Sequence, residues 1–448
     1  MTELVIRGST VITPQGAVIT DVAVDEGRIS AVAPQLPGAM REIDARGLTV
    51  LPGLIDIHVH FNEPGRTDWE GSATGSHALA AGGGTLFFDM PLNSSPCTVG
   101  PEEFDQKRAA LERASLTDFG LWGGIIPGNR SALAELAARG VIGFKAFMAD
   151  SGLPEFPRCD DRTLYEGMRE AAKFQLPVAV HAEDDELVSK LSSSAISARR
   201  TGIRDFLNSR PVSAEVAAIQ RSSQLAAETG VKLHIVHVSS GSGVAAALEA
   251  RARGVDISIE TCPHYLFFTE EDMERIGALS KCAPPLRNAN EHAALWDALM
   301  HNQVDVVASD HSPAPPEMKR DANFFKVWGG IAGVQSTLAV LLTAGHHDQG
   351  LSLQRIAELT ATWPARRFGL AHKGSIAVNN DADLVLVDVP ASYELQEDKL
   401  LQRHRTSPYI GEDFRGVVHH TLLRGRPIFT QGKILAAATG KLVSPHGN

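Results

Sequence analysis

The spacing of apolar residues changes along the chain and divides it into three parts. From Leu4 to about Val50, apolar and polar positions alternate in short segments separated by glycine and proline, which is typical of small antiparallel strands with tight turns. From Leu51, short apolar runs alternate with alanine- and glutamate-rich stretches, the pattern of repeated β/α units. These runs predict eight strands, near residues 51–57, 83–90, 118–125, 141–148, 176–182, 231–238, 255–261 and 304–309.

Helical stretches separate the predicted strands, for example at residues 102–114, 131–139 and 214–229. Eight strands alternating with helices predict an α/β fold of the (β/α)8 TIM type, for which about 250 residues suffice. The segment 184–211 is rich in serine and arginine, and we expect a long loop with one helix over the barrel mouth. Such a loop could be a mobile lid or a solvated connection.

The third part follows a helical stretch at residues 354–369 and returns to short β-like segments, the first at 374–378 and 383–388. Its pattern matches that of the amino-terminal part. We therefore predict that both chain ends build one small β-sandwich-like domain, residues 1–50 and 372–448, beside a barrel of residues 51–371.

Composition narrows the class of protein. The 448 residues are 43% hydrophobic and 21% charged, as in ordinary globular proteins, and the net charge of −11 argues against nucleic acid as a partner. The four cysteines form no CxxC pair, so neither a disulfide framework nor a thiolate zinc site is expected, which favours a reducing compartment. We see neither a signal-peptide pattern nor an apolar run of about 20 residues, and we therefore expect a cytoplasmic protein without a membrane partner.

Potential metal ligands stand at or near the ends of predicted strands. Residues 58 and 60 point to the same side of their strand, because side chains alternate along a strand. Taken alone, a His-x-His pair is more often a surface or structural pair, and a single histidine at a strand end is often a core residue bonded to a carbonyl. The carboxyl ends of barrel strands converge, however, so the combination predicts a metal-dependent hydrolase. The candidate ligands are His58, His60, Lys145, His181, His237 and Asp310.

Two of these candidates carry a charge in an apolar run, and a buried charge needs a partner. A metal ion would be the partner of Asp310. Lys145 must be neutralised, paired or modified, and a neutral amine can add carbon dioxide to give a carbamate that bridges two cations. We therefore hypothesise that Lys145 is an N6-carboxylysine formed from carbon dioxide or bicarbonate. His264 and His311 lack the combined placement and are left out of the predicted site.

With these motifs, the chain resembles the amidohydrolase superfamily nearly end to end, in the branch that contains dihydroorotases, hydantoinases and allantoinases. Supporting motifs are Pro-Gly-Leu-Ile-Asp at 52–56, Glu-Thr-Cys-Pro-His-Tyr at 260–265 and Lys-Cys-Ala-Pro-Pro-Leu-Arg at 281–287. The segment 61–71 is similar to that of allantoinases, since dihydroorotases typically carry arginine where Asn62 stands, to bind a substrate carboxylate. Asp68 departs from the pattern, in which glutamate is commoner.

The resemblance implies a role for each candidate residue. His58 and His60 would bind one divalent metal ion, His181 and His237 a second, and Lys145 would bridge them. Asp310 would complete the coordination of the first metal ion and act as general base and acid. Zinc is the expected metal, with manganese or cobalt as alternatives. The residues implied in substrate binding are Asn62, Asn93, Cys282 and Ser312, although turn or packing roles remain open for the first three.

The activity implied by the resemblance is hydrolysis of the hydantoin ring of allantoin, a small-molecule substrate, to allantoate by a homotetramer. Two alternatives remain open. One is a hydantoinase- or dihydroorotase-type enzyme acting on another cyclic amide. The other, a remote one, is a non-catalytic scaffold that kept the barrel.

Overall fold

The computed structural model describes residues 1–445. The amino-terminal part of the chain forms five strands. They are β1 (Leu4–Thr13), β2 (Gly16–Asp25), β3 (Arg28–Ala33), β4 (Arg41–Asp44) and β5 (Thr49–Pro52). Strand β2 pairs antiparallel with both β1 and β3. The first half of β1 pairs with β4 and the second half with β5, and the register of β1 against β2 shifts between Ile6 and Ser9. Gly8, with φ of 65°, provides the backbone conformation for this bulge.

The barrel follows as one parallel sheet of eight strands in chain order. Its strands are β6 (Leu54–Val59), β7 (Gly84–Asp89), β8 (Asp118–Gly124), β9 (Gly143–Phe147), β10 (Val178–His181), β11 (Leu233–Ile235), β12 (Ile257–Thr261) and β13 (Val306–Val307). A bridge between Val59 and His311 connects the first and last strands, so the sheet closes. The prediction of a (β/α)8 barrel is thus confirmed. Seven of the predicted runs contain one of these strands each, and the first run, 51–57, overlaps β6, which extends two residues further.

Fourteen α-helices lie within the described residues. They are α1 (Ser72–Ala81), α2 (Pro101–Ala114), α3 (Leu133–Ala138), α4 (Asp161–Lys173), α5 (Asp185–Ser197), α6 (Ile203–Ser209), α7 (Val212–Thr229), α8 (Gly241–Ala252), α9 (Pro263–Phe267), α10 (Glu270–Ile276), α11 (Ala289–Met300), α12 (Thr337–Val340), α13 (Leu353–Ala357) and α14 (Trp363–Arg367). Wider π-helical turns follow α12 and α13, at Leu341–Asp348 and Glu358–Thr362. Within the described chain, no helix is both long and apolar enough to cross a bilayer.

Short 3₁₀ turns complete the helical structure. The predicted helix at 131–139 begins with one of them, and the predicted helix at 354–369 is α13, a π-helical turn and α14 in succession. The 3₁₀ turns are Arg130–Ala132, Gly277–Ser280, Pro316–Lys319, Val334–Ser336 and Glu397–Lys399.

The segment 184–211 contains two helices, α5 and α6, so the prediction of a single helix was wrong. Each helix has its own amino-terminal cap. The carboxylate of Asp184 accepts a hydrogen bond from the backbone N–H of Leu187 at 2.8 Å, and that of Asp205 accepts one from the N–H of Gly202 at 3.1 Å. Side chains of α5 and α6 line the mouth of the barrel.

Four strands at the carboxyl end return to the amino-terminal sheet: β14 (Leu384–Glu394), β15 (Asp413–Leu423), β16 (Arg426–Thr430) and β17 (Lys433–Ile434). Strand β14 pairs antiparallel with β5, which joins both chain ends in one nine-stranded sheet and confirms the predicted pairing. The segment 374–378 is not a strand, because Asn380 Nδ2 donates to the carbonyl and hydroxyl of Ser375 and closes a local turn. Residues 446–448 of the predicted range 372–448 lie outside the described residues.

A buried charge cluster connects this sheet to the barrel. Lys373 Nζ lies 2.8 Å from Asp118 at the start of β8, 2.9 Å from Asp381 and 2.7 Å from Asp383. Arg424, which follows β15, also contacts Asp118, at 2.5 Å. The cluster lies at the amino-terminal end of the barrel strands, so the cavity at their carboxyl ends is remote from it.

Candidate active site

A cavity of about 520 Å³ opens where the carboxyl ends of the barrel strands meet. Its size is that of a small-molecule site. Among its lining residues are eight that the sequence singled out: His58, His60, Asn93, His181, His237, Cys282, Asp310 and Ser312. Lys145 and Asn62 are buried but do not belong to the lining.

His58, His60 and Asp310 form one group of potential ligands. Asp310 Oδ1 lies 3.2 Å from Nε2 of His58 and 3.5 Å from Nε2 of His60. Burial alone would raise the pKa of Asp310, but the two imidazoles outweigh it and lower the pKa to about 2. Burial also lowers the pKa of His60, which favours the neutral imidazole that a metal requires.

His181 and His237 form a second group beside the first. Nδ1 of His181 lies 3.0 Å from Nε2 of His237, and the ring of His237 lies 5.5 Å from that of His58. Burial lowers the pKa of both residues, for His237 well below the ordinary value, and nearby positive charge adds to the effect. Two neutral nitrogens that face each other at this distance can bind one cation between them after a small adjustment.

Lys145 lies on β9 with its ammonium group fully buried. Nζ has no hydrogen-bond partner among residues 1–445, and it lies 5.1 Å from the ring centroid of Phe147. Burial lowers the pKa of this lysine to about 8, against the opposing influence of Glu260 and Asp310. A larger fraction of the amine is therefore neutral than in an exposed lysine, and only a neutral amine can add carbon dioxide.

A glutamate that the sequence did not single out lies behind His58. Glu260, on β12, accepts a hydrogen bond from Nδ1 of His58 at 2.7 Å and pairs through its other oxygen with Nε2 of His234 at 3.0 Å. Burial opposes ionisation, yet the two imidazoles hold the pKa of Glu260 well below its ordinary value. The carboxylate thereby leaves Nε2 of His58 free to face the cavity.

Glu183 plays the same part behind His181. Its Oε2 lies 2.8 Å from Nε2 of His181, which leaves Nδ1 on the side of His237. Arg210 pairs with the same oxygen of this carboxylate. Burial raises the pKa of Glu183, but Arg210 and His181 more than compensate and lower it to about 2. Both glutamates occupy positions that alternation along a strand could have indicated, since Glu183 is two residues from His181 and Glu260 ends an apolar run.

The predicted substrate-binding residues divide into two sets. Asn93 and Ser312 lie at the cavity wall, where the Asn93 amide donates to the Ser312 hydroxyl at 3.4 Å, and Cys282 lines the same cavity. Asn62 lies behind the wall, and its amide donates to the carbonyl of Pro313 at 3.4 Å. Its role in substrate binding stays a prediction.

The two histidines left out of the predicted site are both buried near it. Nδ1 of His311 accepts hydrogen bonds from the N–H groups of Gly333 and Val334 at 3.1 and 3.3 Å, so this ring holds the loop that follows Asp310. Both ring nitrogens of His264 lack a hydrogen-bond partner within the described chain.

The backbone at two candidate ligands adopts a conformation that side chains other than glycine rarely take. The φ angle is 45° at Asp310 and 39° at His237, both in the left-handed region. Such strained residues cluster at functional sites, where the surrounding structure imposes them. Here the strain turns two side chains toward the cavity as their strands end.

The donor set suits divalent metal ions. It combines four imidazoles with a carboxylate, the ligands that zinc and related cations prefer. In two of the imidazoles, those of His58 and His181, a buried carboxylate holds the ring nitrogen that does not face the other ligands. Nδ1 of His60, Nδ1 of His237 and Nζ of Lys145 are buried polar atoms without partners in the described part of the chain. The donor chemistry and these unpartnered atoms together fit a divalent-metal site.

Comparison with known proteins places this site in a family. Residues 49–428 match the model of the amidohydrolase family. The chain is 64% identical to an allantoinase of Solibacter usitatus, over 100% of this chain and 98% of that protein, and 54% identical to an allantoinase of Rubrobacter xylanophilus, over 99% and 98%.

Solved structures of hydantoinases superpose on almost the whole chain, at lower sequence identity. The L-hydantoinase (dihydropyrimidinase) from Arthrobacter aurescens superposes with a TM-score of 0.96 at 31% identity, covering 99% of this chain and 100% of that chain. A D-hydantoinase superposes with a TM-score of 0.92 at 30% identity, covering 98% of each chain. From its sequence, its fold and the arrangement of its site, this chain belongs to the amidohydrolase family.

Proposed function

We propose that this protein is an allantoinase, which hydrolyses the ring amide of allantoin to give allantoate. The observation that carries the proposal is the 64% identity to an allantoinase along the whole chain, together with a cavity lined by five of the six candidate ligands. The hydantoinases of known structure are only 31% and 30% identical. Their near-complete superposition nevertheless makes a hydantoinase-type activity the second candidate.

The charges around the cavity also favour a neutral substrate. Of the three cationic side chains that line it, Lys326 is exposed to solvent, and the two less exposed ones are already paired: Arg210 with the carboxylate of Glu183, and Lys281 with backbone carbonyls of residues 324, 325 and 327. A dihydroorotase would need a free cation for the carboxylate of its substrate. Allantoin carries no carboxylate, and the neutral groups of Asn93 and Ser312 suit its amide and ureido groups.

The proposed site holds two divalent metal ions per subunit, with zinc as the expected metal and manganese or cobalt as alternatives. His58 and His60 would hold the first ion, and His181 and His237 the second. Asp310 would complete the coordination of the first ion. Lys145, as the carbamate, would bridge them: its neutral amine forms a bond to the carbon of carbon dioxide and releases a proton. When bound, such ions lower the pKa of water toward neutrality and polarise a substrate carbonyl.

The chain itself supplies proton transfer and orientation. Asp310, ionised because His58 and His60 lower its pKa to about 2, accepts a proton from the attacking water and returns it to the departing ring nitrogen. Glu260 and Glu183 hold His58 and His181 in fixed orientations, so that little reorganisation accompanies the reaction. Asn93 and Ser312 donate hydrogen bonds to the ring or to the ureido group.

We further propose that the protein is a cytoplasmic homotetramer. Its mass in solution, measured by light scattering at several concentrations, tests the assembly. A monomer of 47.9 kDa at all concentrations would contradict it.

Turnover of racemic allantoin, dihydroorotate and 5-substituted hydantoins by one preparation, supplied with metal and bicarbonate, tests the proposed function. We expect chelator-sensitive release of allantoate from allantoin and little reaction of the other rings. A preference for a substituted hydantoin would support the second candidate, and inertness toward every ring would contradict both.

A further inference from the structure

Two lysines outside the proposed reaction converge on one segment of the cavity wall. We call residues 324–330 the wall segment. All but the first of its residues line the cavity, and among them are Phe325, Val327 and Trp328. The wall segment lies in a connection without a strand or an α-helix of its own, so regular backbone pairing does not determine its shape.

Lys281 holds the first half of the wall segment. Its side chain is 4% exposed, and its Nζ donates to the carbonyls of Phe324 at 2.6 Å, Phe325 at 3.3 Å and Val327 at 2.5 Å. Nζ also lies 4.6 Å from the ring centroid of Phe206 on α6. An ammonium group has three N–H bonds, and three carbonyls of one short segment accept them.

Lys319 holds the second half of the wall segment. Its Nζ donates to the carbonyl of Trp328 at 2.9 Å, to that of Gly330 at 2.7 Å and to that of Ala278 at 3.2 Å. Five carbonyls within seven residues are thus directed at two amines. Burial lowers the pKa of both lysines to about 7, with Arg210 and Lys319 as further positive charges near Lys281. These cations therefore lose solvation, and the carbonyls replace the water.

Neither lysine has a carboxylate partner among the hydrogen bonds and ion pairs of residues 1–445. A lysine that served only to stabilise the fold would more commonly pair with an acidic group, and burying two such amines against carbonyls alone is costly. This desolvation cost has a functional reason if the shape of the wall segment determines how the substrate binds. Its final glycine supports this view: a side chain at Gly330 would meet the Ser312 carbonyl at 2.3 Å, so the wall segment is packed against a residue of the predicted substrate site.

We propose that Lys281 and Lys319 are positioning residues that fix the wall segment against the substituent of the substrate ring, and so determine the affinity for the substrate rather than the rate of ring opening. The inference rests on the proposed function, because it takes that substituent to be the ureido group of allantoin. Neither lysine contacts the candidate metal ligands, so the bond-breaking step is left unchanged when the wall segment loosens.

Limited proteolysis tests this without any turnover. Lys326 is exposed at the centre of the wall segment and offers trypsin a cleavage site. In Lys281→Met and Lys319→Met we expect cleavage after Lys326 to be accelerated on the order of tenfold, because a loosened segment opens more often. Cleavage after the exposed Lys399, in the same samples, is the internal reference. Lys190→Met, which removes an exposed lysine of α5, is the matched control and should behave as the wild type.

Steady-state kinetics of the same variants supply the second readout. We expect KM for allantoin to rise about tenfold with kcat nearly unchanged, the pattern of lost substrate binding. Lys319→Arg should not restore KM, because a planar guanidinium cannot direct three N–H bonds at carbonyls placed for an ammonium group. If Lys281→Met does not fold, Lys319→Met provides the test, because the side chain of Lys319 is partly exposed and its loss should be better tolerated.

Two results would overturn the inference. One is unchanged cleavage after Lys326 in both variants. The other is a fall in kcat with KM unaltered, as a general loss of stability would cause. If the wild type does not open allantoin, the proposed function fails, but the proteolysis still decides whether the two lysines hold the wall segment.

Discussion

Oε1 of Glu260 lies 2.7 Å from Nδ1 of His58 and 3.0 Å from the backbone nitrogen of His237. One carboxylate oxygen therefore orients a candidate ligand from each of the two groups. Its other oxygen is held by Nε2 of His234 at 3.0 Å, so the carboxylate has little freedom to rotate. Because the residue is fully buried, no solvent competes for these contacts.

Replacing this carboxylate should weaken metal binding without unfolding the protein. In Glu260→Gln, the neutral amide accepts a weaker hydrogen bond from His58 and leaves the imidazole a poorer donor to a cation. We expect the affinity for the metal to fall roughly 10- to 100-fold. Competition with a chromophoric chelator measures it.

Glu215→Gln is the matched control, because Glu215 is equally buried and bonds to Ser239 and Ser240 rather than to an imidazole. Its metal affinity should remain close to that of the wild type. Equal losses in both variants would mean that burial of a carboxylate, rather than its contact with His58, is what matters.

Asp310→Asn separates proton transfer from metal binding. Asparagine keeps an oxygen ligand and tolerates the φ of 45° found here, so the backbone and most of the bound metal should be retained. It cannot accept a proton from water at neutral pH, and we expect kcat to fall roughly 10²- to 10⁴-fold. Metal content and turnover are measured on the same sample, and near-normal turnover would refute the assigned role.

The sequence predicted the barrel because its strands are buried on both faces. Several contain short apolar runs, such as residues 178–180, and helical stretches separate the runs. It also predicted that both chain ends pair, since their alternation is the same. It did not predict two helices in 184–211, because the caps at Asp184 and Asp205 are local signals within a segment of low hydrophobic periodicity.

The candidate ligands could be predicted, but the contacts of their supporting residues could not. A histidine at the end of an apolar run is conspicuous, whereas glutamates such as Glu183 and Glu260 are common residue types at strand ends. Their significance depends on contacts between strands that are far apart in the chain, 202 residues in the case of His58 and Glu260. The two lysines of the wall segment are likewise recognisable only when their carbonyl partners are known.

Lys145 provides a test of the carbamate. Lys145→Met fits the same buried space but has no amine, so carbon dioxide cannot add to it. We expect binding of metal to be reduced and turnover to fall at least about 100-fold, since a ligand rather than an outer partner is lost. In Lys145→Ala, a short carboxylic acid such as acetate could occupy the vacated space and restore part of the activity.

Lys107→Ala is the control, because Lys107 is also buried but is paired with Asp89 at 3.0 Å. Acetate should not restore any activity that this variant loses. Full activity of Lys145→Met without added acid would contradict the bridging role of Lys145.

The charge cluster around Asp118 predicts a pH-dependent link between the barrel and the terminal sheet. Burial tends to raise the pKa of Asp118, but Lys373 and Arg424 outweigh it and lower the pKa below its ordinary value. Asp118→Asn removes the carboxylate that pairs with Arg424, whereas Lys373 keeps Asp381 and Asp383, so the free energy of unfolding should fall by about 2 kcal/mol at neutral pH, the contribution of a hydrogen bond to a charged group. Urea denaturation followed by circular dichroism measures the change.

The sign of the pH effect follows from the lowered pKa. Asp118 stabilises the folded state above its pKa in the unfolded chain, about 4, and this contribution is lost as pH falls through the lower folded-state pKa. The difference between wild type and Asp118→Asn should therefore shrink in acid. Asp256→Asn, at an exposed pair with Arg367, should cost less than about 1 kcal/mol. A difference for Asp118→Asn that stays constant into acid would show that lost packing, and not lost charge, weakens the junction.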